Sequence, residues 1–229
     1  MKQTALALAA LLALAPMAGS AVAQTSNAPG ASSGAAKAAL SETALAGAER
    51  TQALAAASAA LNRITAIQGR FTQVAPDGAQ SQGELYLQRP GKMRFAYDAP
   101  SPLTIVSDGT TVAVEDRAVR DVSRVPLRST PLFYVLKRDV NLERDARITR
   151  VTRSGDQLLV TARDRSGEAD GEITMVFAGP AYDLRQWSIT DGQRQTTRIK
   201  LSAVRRAGAL DPRLFRVQAG ADPTARKGR

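Results

Sequence analysis

From about residue 69 to residue 204, apolar side chains recur at every second position in short runs broken by turn residues. In a strand, successive side chains point to opposite faces, so each run carries one apolar face. Phe71 and Val74 lie in the first run, and Pro76-Asp77-Gly78 follows as a turn. Leu85 and Leu87 then alternate with Glu84, Tyr86 and Gln88, and Arg89-Pro90-Gly91-Lys92 turns the chain again. Met93, Phe95 and Tyr97, then 103–107, 112–114 and 119–122, continue the pattern, with turns at Asp108-Gly109 and Glu115-Asp116. Runs at 146–153, 157–163, 171–177, 184–190 and 195–204 complete it, and Phe215 to Val217 closes the domain after a turn at Asp211-Pro212. The pattern predicts a meander of antiparallel hairpins. One face of it would carry Leu85, Leu87, Phe95, Ile105, Val112, Val114, Leu159, Ile173, Met175, Phe177, Trp187 and Ile189. So large an apolar face cannot stay wet, so the sheet closes on itself or helices cover it.

Two segments offer covers. Residues 37–68 are Ala-rich, and Leu54, Leu61 and Ile64 fall on one side at helical spacing. A helix is expected from Glu42 or Thr51 to Ile67, stopped by Gly69. The alternation breaks at Ser129-Thr130-Pro131, after which Leu132, Phe133, Val135 and Leu136 cluster at helical spacing. Thr130 is a natural N-cap and Pro131 suits the first helical position, so a short apolar helix is expected among the strands.

The start of the chain reads as an export signal. Lys2 is a positive n-region, Ala5 to Ala15 an apolar h-region and Ala21-Val22-Ala23 a small-residue cleavage site. The expected organisation is a cleaved signal at 1–23, a flexible leader at 24–45, one domain at 46–218 and a disordered basic tail at 219–229. The chain has neither cysteine nor histidine. That excludes disulfides, Cys and His nucleophiles, His bases and most transition-metal sites. No phosphate-binding loop, nucleophile elbow or paired carboxylates are apparent, so no enzyme and no cofactor are expected. Net charge is +10, which favours anionic partners, yet export and ten scattered aromatic residues argue against nucleic acid. The basic residues gather at Arg117, Arg120, Arg124 and Arg128, and again at Arg194, Arg198, Lys200, Arg205 and Arg206. A solvated face or a docking surface fits both groups.

The blocks QGRFTQ, GELYLQRPGKMRFAYDAP, IVSDGTTV and TPLFYVL, within residues 68–136, occur in the order and spacing of a known family. The later LRQWSITDGQRQTTRIKL and DPRLFRV are similar to that family's closing hairpin and end. The chain resembles the LolA family of periplasmic lipoprotein carriers over roughly residues 50–217. The later blocks also suit related open-barrel proteins, including the LolB receptor.

The resemblance implies a mainly β fold with some helix: an incomplete, half-open antiparallel β-barrel covered by a helical lid. It implies that the space between them holds acyl chains, lined by Leu85, Leu87, Met93, Phe95, Ile105, Val112, Val114, Met175, Phe177, Trp187 and Ile189. Met93 and Phe95 would stand near the mouth. Thr130, Pro131, Leu132, Phe133 and Leu136 correspond to the lid, and Arg89 to an arginine that hydrogen-bonds toward the lid and holds it shut. The implied partners are lipoproteins, an ATP-driven release complex in the inner membrane, and an outer-membrane acceptor or the outer membrane itself, with the carrier a monomer in the periplasm. A receptor or combined carrier and inserter, a carrier of another amphiphile, and a periplasmic peptide-binding sensor remain alternatives.

Overall fold

A computed structural model describes residues 42–167 and 169–217. The expected signal peptide, most of the leader and the basic tail lie outside them. The strands are β1 (Thr43–Ala44), β2 (Ala66–Val74), β3 (Gln80–Gln88), β4 (Lys92–Tyr97), β5 (Leu103–Asp108), β6 (Thr111–Asp116) and β7 (Asp121–Pro126), then β8 (Ala146–Ser154), β9 (Gln157–Asp164), β10 (Glu172–Ala178), β11 (Asp183–Thr190) and β12 (Thr196–Arg206). Helix α1 (Gly47–Asn62) precedes β2, and the single turns α2 (Phe133–Leu136) and α3 (Leu142–Asp145) lie between β7 and β8. All twelve strands form one antiparallel sheet in the order β1-β8-β9-β10-β11-β12-β2-β3-β4-β5-β6-β7. Two meanders, β2 to β7 and β8 to β12, are joined where β12 pairs with β2. The sheet is unclosed, with β7 at one edge and β1 on β8 at the other. The chain between β7 and β8 therefore has to travel from one edge of the sheet to the other.

Alternation decides which way each strand faces. In β3, Leu85 and Leu87 are buried while Glu84 and Gln82 look outward. Residues from strands far apart in the sheet, such as Val114 of β6 and Leu158 of β9, share one apolar cluster, so the sheet curves around its inner face. Helix α1 covers that face with Ala53, Leu54, Ala57, Ala60 and Leu61, and the segment after β7 adds Leu127, Leu132, Val135, Leu136, Val140 and Leu142. Small residues on α1 let it lie close against β8 and β11. Gly83 has a similar role in the sheet: a Cβ there would meet Phe71 Cε1 at 2.8 Å. Its absence makes room for the Phe71 ring, which packs edge-to-face with Phe95 at 4.8 Å and Tyr97 at 5.0 Å.

The structure corrects several expectations. Helix α1 ends at Asn62, and Ile67 and Gln68 lie in β2. The apolar spacing of Leu54 and Leu61 runs on into Ile64 and Ile67 by coincidence of phase, so periodicity alone overran the end. Gly69 is a strand residue beside a bulge of β12 between Ser202 and Arg205. A Cβ there would stand 3.0 Å from Ser202 O and 3.1 Å from Val204 Cα, so the glycine permits close strand approach rather than ending a helix. The run expected at 119–122 is strand only from Asp121, because the turn falls later than Glu115-Asp116. Thr130 does not cap the helix at its start: it ends a 3-10 turn over Leu127–Ser129, its hydroxyl donates to Leu127 O at 2.8 Å, and Leu132 precedes α2. Leu159 faces outward, and its neighbours Leu158 and Val160 are the buried ones. Consecutive apolar residues leave the phase of such a strand ambiguous. Thr43–Ala44, read as leader, pairs with β8. Phe215 belongs to a 3-10 turn and packs in a separate small cluster with Ala66 and Leu210.

Candidate functional site

The inner face is continuous and apolar. Leu85, Leu87, Met93, Phe95, Ile105, Val112, Val114, Met175, Phe177, Trp187 and Ile189 are all buried in one cluster with the roof residues. Met93 and Phe95, expected near a mouth, are 1% and 2% exposed within this packing. Leu132 and Leu136 are buried in it as well, Phe133 is partly buried against it, and Thr130 is buried. Side chains thus fill the space between sheet and helices, and an apolar guest would have to displace them. A hollow of about 390 Å³ opens at one end of β3 and β4, where Gln73, Gln82, Tyr97 and Leu103 line it. Tyr97 donates there to Gln73 Oε1 at 2.7 Å.

Arg89 stands at the opposite end of β3, in the turn to β4. Its guanidinium reaches both covers. Nε donates to Lys137 O at 3.0 Å, and Nη2 to Arg138 O at 3.0 Å and to Asn62 Oδ1 at 3.1 Å. Nη1 also donates to Leu61 O, and Nη2 to Lys137 O. Leu61 O belongs to the last turn of α1, where it also accepts from Ile64 N at 3.1 Å and lies at the negative end of the helix dipole. A planar fork with five donors suits several carbonyls at once, as an ammonium would not. Burial lowers the Arg89 guanidinium from its ordinary value, and Asp139 opposes that shift. The adjacent turn adds a backbone bond, Gly91 N to Leu136 O at 2.7 Å.

Two further residues tie α1 to the segment after β7, and the sequence reading did not single out either. The Asn62 side chain donates to Val140 O at 2.9 Å and accepts from Val140 N at 3.0 Å. Ser58 Oγ accepts from Leu142 N at 3.1 Å while donating to Leu54 O at 2.7 Å. Their only signal is a polar residue flanking the Leu54–Leu61 stripe near the helix end. Lys137 pairs with Asp145 at 2.5 Å. Burial would raise the Asp145 carboxyl, but hydrogen bonds from Arg144, Lys137 and the Asn141 amide outweigh it and hold the group at about 2.

The basic residues stay outside this arrangement. Arg198 and Lys200 alternate with the buried Ile199 and Leu201 and so point outward, and Arg117, Arg120 and Arg124 are exposed. No helix among the described residues is long and apolar enough to cross a membrane.

An unclosed antiparallel sheet with an apolar inner face, roofed by helical segments, defines a half-barrel with a helical lid. The family model for "outer membrane lipoprotein carrier protein LolA" matches residues 62–218, and the chain belongs to that family. An outer-membrane lipoprotein carrier protein of Methylococcus capsulatus is 32% identical over 165 residues, covering 68% of this chain and 78% of that one. One of Dechloromonas aromatica is 29% identical over 150 residues, covering 62% and 71%. Among solved structures, a LolA superfamily protein of Nitrosomonas europaea matches with a TM-score of 0.44 at 10% identity, over 72% of this chain and 96% of that one.

Proposed function

We propose that this chain is a periplasmic chaperone that takes up the acyl chains of lipoproteins released from the inner membrane and carries them to the outer membrane. The observation that carries the reading is Arg89, one side chain that closes two covers over an apolar face by polar contacts alone. Its relatives named as lipoprotein carriers support the cargo class.

The energetics fit such a task. Each buried CH₂ contributes about 0.8 kcal/mol, so a chain of ~15 such groups carries roughly 12 kcal/mol. Cargo of that kind cannot cross water unaided, and a carrier that only sheltered it would never let go. In the closed form, the apolar residues pack on one another and the latch is made. Cargo must open that form, and the free energy of closure subtracts from its apparent affinity. Arg89, Asn62 and Ser58 therefore set how readily cargo leaves. No step requires bond chemistry, so the chain needs no catalytic group or cofactor for it.

The test uses the mature chain with inner-membrane vesicles, the ATP-driven release complex and a triacylated lipoprotein. A soluble complex of carrier and lipoprotein is expected only when ATP is supplied. If no soluble complex forms, the reading is wrong.

A further inference from the structure

Trp187 is the chain's one tryptophan, 1% exposed, and its indole N–H has no hydrogen-bond acceptor among the described residues. It sits on β11 opposite Met175 of β10 and Ile199 of β12, with the Phe95 ring 6.1 Å away. An indole nitrogen is a donor only, so water or an oxygen acceptor has to satisfy it. Buried donors in folded proteins are nearly always paired, because an unpaired one forfeits its bonds to water without return. Phenylalanine or leucine would suit a face that only packs. Among the described residues the inner face instead carries this unmatched donor, with Met175, Ile199 and Phe95 beside it.

We propose that Trp187 Nε1–H is a polar subsite that hydrogen-bonds an acyl ester carbonyl of the cargo. The inference rests on the acyl-carrier reading and deepens it: the groove reads the linkage at the head of the chain as well as the chain itself. A hydrocarbon tail offers no acceptor, so the carbonyl where it joins glycerol is the acceptor that an acylated guest brings into a dry groove. No described protein group accepts from this donor in the closed form, so a bond to the carbonyl is one that the loaded form alone makes. One placed polar group within an apolar cavity also fixes the guest's orientation.

The test compares two synthetic lipopeptides of equal chain length on the mature protein. One is a diacylglyceryl-cysteine peptide with ester links, and the other is its ether-linked counterpart. The wild-type chain is expected to bind the ester form about fivefold to tenfold more tightly, the ratio that one hydrogen bond in a dry site supports. Trp187→Phe is expected to bind both alike, near the wild-type affinity for the ether. Emission from Trp187, the only tryptophan, should shift further with the ester than with the ether, which gives a readout even if the variant fails to fold. Equal wild-type affinities overturn the subsite and leave the acyl-carrier reading intact. Binding of neither lipopeptide overturns that reading, and the subsite with it.

Discussion

The two covers of the inner face are held by different means. Helix α1 is a continuous helix of 16 residues that keeps its own backbone bonds and buries a row of Ala and Leu side chains. The segment from 127 to 145 is broken into a 3-10 turn and two single helical turns, too short to hold their shape unaided. Its carbonyls and amides are met from outside, by Arg89, Asn62, Ser58 and Gly91. It also bridges the edges of an open sheet, so its ends are fixed and its middle is not part of any ladder. The difference teaches what opening has to undo. Moving α1 as a unit strips apolar contacts, whereas releasing the crossing segment strips those of Leu132, Val135, Leu136, Val140 and Leu142 and also breaks the polar contacts that give the segment its shape.

The largest effect should come from damaging the packed cover. Leu61→Ala removes a fully buried side chain of α1 and should cost about 3 kcal/mol of global stability, read from the denaturant midpoint. A loss confined to the crossing segment would show that the roof is not a single packed unit.

Next comes the latch. Arg89→Leu should weaken closure by about 2 kcal/mol, roughly thirtyfold in the closed-to-open ratio. The variant should still accept lipoprotein but pass it to an acceptor about thirtyfold more slowly, because closure no longer competes with cargo. Amide exchange should quicken in residues 132–142 and stay slow in α1. Unchanged transfer would remove Arg89 from the release step, and equal quickening in both covers would erase the contrast between them.

The smallest effect is that of acid. Asp145 is held at about 2 in the folded chain, below its ordinary carboxylate value, by Arg144, Lys137 and the Asn141 amide. A depressed carboxyl contributes stability that is complete above its unfolded value and is lost as pH falls through its folded one. Between pH 7 and 5 the crossing segment should therefore exchange at a rate that this group leaves unchanged. Between about pH 4 and 2 it should loosen before α1 does. Loosening already at pH 5 would mean that another group holds it.

Much of the scaffold was legible in residue order. Alternation at Leu85 and Leu87, or Met93 and Phe95, marked strands and inner face together, because in a strand the period is the orientation. Arg89 was found through the motif around it, not through any property of the residue. Asn62 was hidden because the apolar phase ran past the end of its helix, and Leu159 because two neighbouring leucines left the phase open. Helix α3 has too few residues to show a period. The lone donor of Trp187 could not be read at all, since whether an N–H is paired depends on what folding brings beside it.

The sequence by itself determined strands with one apolar face, helical segments able to cover it, and the absence of Cys and His chemistry. Each of these depends on side-chain type and local period. Only the tertiary structure decided that β12 pairs with β2 and that the chain after β7 must cross the open side of the sheet. Those are pairings between residues far apart in the chain. They also bring Arg89 within reach of Leu61 and Lys137, which lie 28 and 48 positions away.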